Sequence, residues 1–253
     1  MAGRELVVVK FGSESVTDHT GIAHDRIAHY ASQLSQTAFD LIVVSSGAVK
    51  TGEAIWRRQH SKKHATNESY ATLGNARVTA AWQDAFERHG RLAGGMLATH
   101  QEVKSRKEGP RFKQTLADNL DSGIISILNE NDAVNDEEMV QYLLGGDNDE
   151  LAFEIAKTMG ASALMLMTDV PGLLDLQGGV VSQVSYSPLE HARARGFAGE
   201  INERGQGMPT KVGAAIMAAE IGIESYIAAA GQNLEAVLSG KTGSHFVAKP
   251  QDM

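Results

Sequence analysis

Short apolar runs alternate with longer amphipathic stretches along this chain, and the alternation predicts its elements. Residues 5–9 (ELVVV) form a β-branched run that reads as a buried strand. Residues 41–44 (LIVV), 124–128 (IISIL) and 163–167 (ALMLM) repeat that pattern, and 225–228 add another short run. Residues 92–98 read as a further strand, weakened by Gly94-Gly95. Between these runs the apolar spacing shifts to the helical period. Helices are predicted over 24–37, 69–89, 111–120, 149–159, 209–221 and 233–238, the second with Leu73, Ala76, Ala80 and Phe86 as its apolar face. Near-continuous apolar strands separated by helices require a sheet covered on both sides. The expected fold class is α/β: a three-layer, doubly wound, mostly parallel sheet with helices on both faces. There is no fixed repeat and no Pro- or Ser-rich linker, so the expectation is one domain over residues 1–253.

Composition narrows the function classes. The 253 residues carry 23 Lys+Arg against 31 Asp+Glu, a net charge of −8, which argues against a general nucleic-acid binder while leaving room for a local basic pocket. Cysteine is absent, which excludes disulfides, thiolate metal sites and a thiol nucleophile. The apolar runs are too short to span a bilayer and no secretory signal is evident, so a cytoplasmic location without membrane contact is expected. No H-x-x-x-H pair sits on a predicted helix face, and no metal site is assigned. Arg57, Arg58, Lys62 and Lys63 read as a solvated loop or lid, and Met165, Met167, Trp56 and Trp82 as core.

In open α/β sheets ligands bind beyond the carboxyl ends of the strands, so the turns there carry the candidate chemistry. Lys10, Gly12 and Ser13 after the first strand offer an ammonium, backbone amides and a hydroxyl to a phosphate; a solvated lysine leaving a Gly turn is the plain alternative. Ser45-Ser46-Gly47 after the second strand suits a carboxylate or phosphate, or simply caps a helix; G-x-S-x-G is absent, so it is not a nucleophile elbow. Asn129-Glu130-Asn131-Asp132 ends the IISIL strand with four oxygen-bearing side chains. In Gly145-Gly146-Asp147-Asn148-Asp149, Asp149 is expected to cap a helix that begins at Glu150, and the EF-hand pattern is missing. Thr168-Asp169 before Pro171-Gly172 suits a nucleotide or a type II turn. Gly205-Gln206-Gly207-Met208-Pro209-Thr210-Lys211 opens a helix as an anion site would, without the Walker A spacing.

Taken in order, the stretches VVVKFGSESV, LIVVSSGAV, MLATHQEV, ISILNENDAV, GGDNDELA, LMLMTDVPGLL and GMPTKVGAA resemble the amino acid kinase family. The resemblance runs from residue 7 to about 217, and the NEND and GDND segments are similar to its glutamate-phosphorylating branch. It implies ATP-dependent phosphorylation of the γ-carboxylate of L-glutamate, in proline biosynthesis, with Mg²⁺ bound mainly through the nucleotide phosphates. It implies catalytic roles for Lys10, Lys211 and Asp149, with Asp149 holding both lysines. Ser46, Gly47, Asp132 and Asn148 would bind the acceptor, and Asn129 would support the transfer site. Lys10, Gly12, Ser13, Thr168, Asp169, Gly207, Met208 and Lys211 would contact ATP. An acceptor half over about 1–160, a nucleotide half over about 161–253, a homo-oligomer and proline as feedback inhibitor are further family expectations. So is a C-terminal PUA domain in many members, which this chain is expected to lack.

Three departures from the family pattern stand out: Gln206 and Pro209 before the second lysine, a longer stretch between Asp132 and Asn148, and Thr72-Leu73-Gly74-Asn75. They keep two alternatives open. One is a kinase of the same fold acting on another small carboxylate or phosphate. The other is a non-catalytic ligand sensor.

Overall fold

The computed structural model describes residues 4–60, 63–134, 148–199 and 207–250. The apolar run at the N-terminus forms β1 (Leu6–Phe11). Its neighbours are β4 (Asp40–Ser45) on one side and β7 (Ala163–Thr168) on the other, both parallel to it. Outside β4 lie β6 (Ile124–Glu130) and β5 (Leu92–Ala98); outside β7 lies β9 (Glu224–Ala229). All these pairings are parallel, so the strands share one carboxyl edge. The eight-stranded sheet is completed by β10 (Ser244–Phe246), antiparallel to β9, and β8 (Gln183–Val184), parallel to β10. A small hairpin of β2 (Thr17–Asp18) and β3 (Gly21–Ile22) stands apart.

The period-two geometry of β1 divides the core. Val8 joins Ile42, Val44, Leu164 and Leu166 on one face. That face is covered by α6 (Gly109–Asp121), α7 (Asn148–Met159) and α9 (Met208–Glu220) through Leu116, Leu151, Ile155, Val212 and Ile216. Val7, Val9 and Phe11 point the other way, with Leu41, Val43, Met165 and Met167. They meet α2 (His24–Ser35) and α4 (Asn67–Glu87) through Ile27, Leu34, Val78, Trp82 and Phe86. Helices therefore cover both faces, as the apolar strands require. The strand parity also decides the site: Lys10 follows Val8 onto the α7–α9 face.

Two elements differ from the sequence reading. Residues 48–59, left unassigned there, form α3 (Ala48–Gln59), so Arg57 and Arg58 occupy its last turn rather than a loop. Trp56, read as core, is half-buried on α3; its Nε1 donates to the Lys63 carbonyl at 3.0 Å. The buried side of α3 is Ala48, Thr51 and Gly52, too small to register as an apolar stripe. These small residues let α3 approach α4 closely: a Cβ on Gly74 would sit 1.9 Å from the Ala48 carbonyl oxygen, and one on Gly52 would sit 1.8 Å from that of Tyr70. On α4, Leu73, Ala76 and Ala80 are exposed, and the buried line instead runs through Ala71, Gly74, Val78, Ala81, Trp82 and Phe86. Of the expected face only Phe86 is buried, because the helix turns its small residues toward α3.

Candidate active site

At the carboxyl edge the central strands are tied together by backbone. The Ser46 amide donates to the Phe11 carbonyl at 3.0 Å, and the Gly12 amide to that of Met167 at 3.4 Å. Gly12 leads into the single-turn helix α1 (Ser13–Val16). Gly47 opens α3 in the left-handed region at φ 106°, with Val16 and Thr17 so close that a Cβ would meet them at 2.8 and 3.1 Å. Trp82 anchors this corner from below, donating through Nε1 to Ser45 Oγ at 2.8 Å.

Over this platform lies a charged cluster. Asp149, in the first turn of α7, is fully buried. Lys10 Nζ lies 2.6 Å from its Oδ1, and Lys211 Nζ, from the first turn of α9, lies 3.1 Å from its Oδ2. Thr210 Oγ1 donates to the same Oδ2 at 2.9 Å. Burial alone would push the Asp149 carboxyl up. The charges of Lys10 and Lys211 and their hydrogen bonds outweigh it and hold the group well below the usual carboxylate range. The helix begins at Asn148 with Asp149 inside it, so the expected cap at this residue is replaced by a bridge between two lysines. Two ammonium groups held on one buried carboxylate and facing open space suit an incoming anion.

The lysines face a cleft of about 550 Å³. All eight candidate nucleotide contacts line it: Lys10, Gly12, Ser13, Thr168, Asp169, Gly207, Met208 and Lys211. Ser46 lines it too, joined by Glu14, Ser15, Lys50 and Val170, which sequence reasoning did not single out. Lys50 sits one helical turn beyond Ser46, a spacing that could have flagged it.

Asn129 and Asn148 do not line the cleft and are buried in a relay of amides. Asn148 Nδ2 donates to Asn129 Oδ1 at 3.3 Å, and Asn129 Nδ2 to Asn75 Oδ1 at 2.6 Å. Asn148 Oδ1 also accepts from the Glu130 amide at 3.1 Å, locking the start of α7 to the end of β6. Asn75 thus takes part from the Thr72–Asn75 departure on α4. Asp132 is half-buried in the turn after β6. Next to this turn the buried His100 imidazole lies 3.4 Å from Glu130 Oε1. Burial pushes the His100 pKa down, against the raising pull of Glu150 and Glu154. Gln206, Asp147 and the stretch 135–147 lie outside the described residues.

A sequence profile of the Amino acid kinase family matches residues 5–229. The chain belongs to the amino acid kinase family. Among its relatives, a glutamate 5-kinase of Nocardia farcinica is 34% identical over 261 residues, covering 99% of this chain and 69% of that protein. A glutamate 5-kinase of Mycobacterium leprae is 30% identical, covering 100% of this chain and 70% of its own length. One from Nitrosospira multiformis is 35% identical over 88% of this chain and 61% of that protein. Solved structures share the amino acid kinase fold. Giardia carbamate kinase superposes with a TM-score of 0.69 at 16% identity, covering 98% of this chain and 100% of that one. UMP kinase from Bacillus anthracis gives 0.61 at 13% identity, covering 98% of both.

Proposed function

We propose that this chain transfers the γ-phosphoryl group of ATP to the γ-carboxylate of L-glutamate, giving L-glutamyl 5-phosphate, the first step of proline biosynthesis. The observation that carries the reaction class is the buried Asp149 with Lys10 on one oxygen and Lys211 on the other, facing an open cleft. The choice of acceptor rests on the relatives of 30–35% identity, each a glutamate 5-kinase.

The chemistry asks for little beyond position and charge. A carboxylate is ionised at neutral pH, so no general base is needed to activate it. Its oxygen bonds to the γ-phosphorus as the bond to the departing ADP oxygen breaks. Charge on the transferring group is met by the two ammonium groups, pre-set by Asp149 so that they need not reorganise. On this reading Lys10, Gly12, Ser13, Gly207 and Lys211 attend the phosphates, while Thr168, Asp169 and Met208 attend base and ribose. Ser46, Gly47, Asp132 and Asn148 attend glutamate, with Asn129 behind them. The acceptor half is about 1–160 and the nucleotide half about 161–253.

Among the described residues no cluster of three His, Asp or Glu side chains is placed to hold a metal. Mg²⁺ therefore enters the proposal as a companion of the ATP phosphates, which supply the oxygens it favours. Proline as feedback inhibitor, a homo-oligomer and a cytoplasmic location complete the proposal. No helix among the described residues is long and apolar enough to cross a membrane.

Hydroxylamine traps acyl phosphates, which makes the test direct. Purified protein with ATP, Mg²⁺ and hydroxylamine should form γ-glutamyl hydroxamate from L-glutamate and not from aspartate or N-acetylglutamate. ADP release without any hydroxamate, or an equal signal across the acceptors, would overturn the assignment.

A further inference from the structure

We infer that Lys50 reads the acceptor: its ammonium receives the carboxylate of the substrate that does not react, in exchange for Glu14. The inference rests on the glutamate reading above and adds a residue to it.

Lys50 stands in the first turn of α3, which contains no acidic residue. A cation there opposes the positive end of the helix dipole, so local stability does not account for it. Its counter-charge comes from a different element, Glu14 of α1, with which it forms an ion pair. Both residues line the same cleft as Lys10 and Lys211. Glu14 is 67% exposed at its side chain and Lys50 28%. A pair so open to water contributes little to stability, so a substrate carboxylate can take the place of Glu14 at small cost.

The sheet order says which end of a substrate Lys50 meets. Lys10 leaves the central strand. The nucleotide candidates Thr168 and Asp169 leave β7 on one side of it, and Ser46 and Lys50 follow β4 on the other. Lys10 and Lys211 are both engaged by Asp149 where phosphoryl transfer is proposed. Among the described residues that line the cleft, Lys50, one turn past Ser46, is the cation on the acceptor side. Glutamate brings two carboxylates there, one that reacts and one that needs a counter-charge.

The test pairs enzyme and substrate changes in the hydroxamate assay. L-isoglutamine keeps the γ-carboxylate but carries an amide in place of the α-carboxylate. Lys50→Ala should raise KM for L-glutamate about tenfold, the size of one charge-assisted hydrogen bond, with kcat within about threefold. The same variant should leave KM for isoglutamine within about twofold of wild type, because removing either charge removes the same interaction. Lys50→Arg should restore much of the glutamate KM. Glu14→Gln should lower KM for glutamate, since it removes a competitor. A mere brace between α1 and α3 predicts the opposite sign for Glu14→Gln and equal damage with both substrates. Either of those results, or an unchanged glutamate KM in Lys50→Ala, overturns the inference while wild-type glutamate activity stands. No glutamate signal from wild type overturns the glutamate reading, and this inference with it.

Discussion

Residue by residue, the site is organised by one carboxylate serving two cations. Removing different members of that trio should therefore have unequal effects on stability. Asp149→Asn removes the carboxylate that both buried ammonium groups contact and should destabilise the protein by about 3–5 kcal/mol, read from denaturant unfolding. Lys211→Met leaves Asp149 paired with Lys10, so its unfolding midpoint should fall far less than that of Asp149→Asn. Its turnover should nonetheless fall by about 10²–10³-fold, because the lost ammonium acts on charge that develops during transfer. A Lys211→Met protein that melts early but turns over normally would contradict this division of labour. Most of the cleft's residues can be named from sequence because seven motifs stand in one order that resembles a known family; taken singly, each turn also has a plain structural reading. Lys50 carries only its spacing from Ser46 as a signal, and Glu14 carries none. Each lies in a short or small-faced helix whose existence the apolar pattern does not announce, and their pairing is set by tertiary approach alone.

At the scale of elements, the contact between α3 and α4 carries Ser46, Gly47 and Lys50 into position. It depends on backbone approaching backbone at Gly52 and Gly74. Gly74→Ala would force a methyl within 1.9 Å of the Ala48 carbonyl, so the helices must separate. The expected cost is about 1–3 kcal/mol, visible as a lower thermal midpoint, together with a raised KM for the acceptor. Ala76→Ser, on the exposed side of α4, should change neither. The same contact explains the limits of the sequence reading. Short, near-continuous apolar runs are plain in the sequence, and each of the six parallel strands lies within two residues of its expected ends. The buried side of α3 is Ala48, Thr51 and Gly52, with no large apolar side chain to mark it, and the exposed Leu73 misleads the phase of α4. The strands β8 and β10, two and three residues long, are too short to show alternation.

For the whole molecule, two buried groups give stability a pH dependence of opposite origin. Asp149 titrates below the usual carboxylate range when folded, so its contribution is present above the unfolded value and is lost only as pH falls through the lower folded one. His100 is held neutral by burial, so below the ordinary histidine range, about 6.5, the unfolded chain takes up a proton that the folded chain resists. Folding stability should therefore fall as pH drops from 7.5 to 5.5. His100→Gln should flatten that slope by up to one proton, measured by chemical denaturation at a series of pH values. An identical slope in the variant would remove His100 from the account.

The central claim is that a carboxylate oxygen of glutamate attacks phosphorus in this cleft. L-Glutamate labelled with oxygen-18 in its γ-carboxylate tests it at the bond itself. Hydroxylamine expels phosphate from the acyl phosphate by attacking carbon, so the released phosphate keeps the bridging carboxylate oxygen. Mass spectrometry should find one oxygen-18 in each phosphate released with the hydroxamate. Phosphate free of the label, formed while ATP is consumed, would mean that glutamate never received the phosphoryl group.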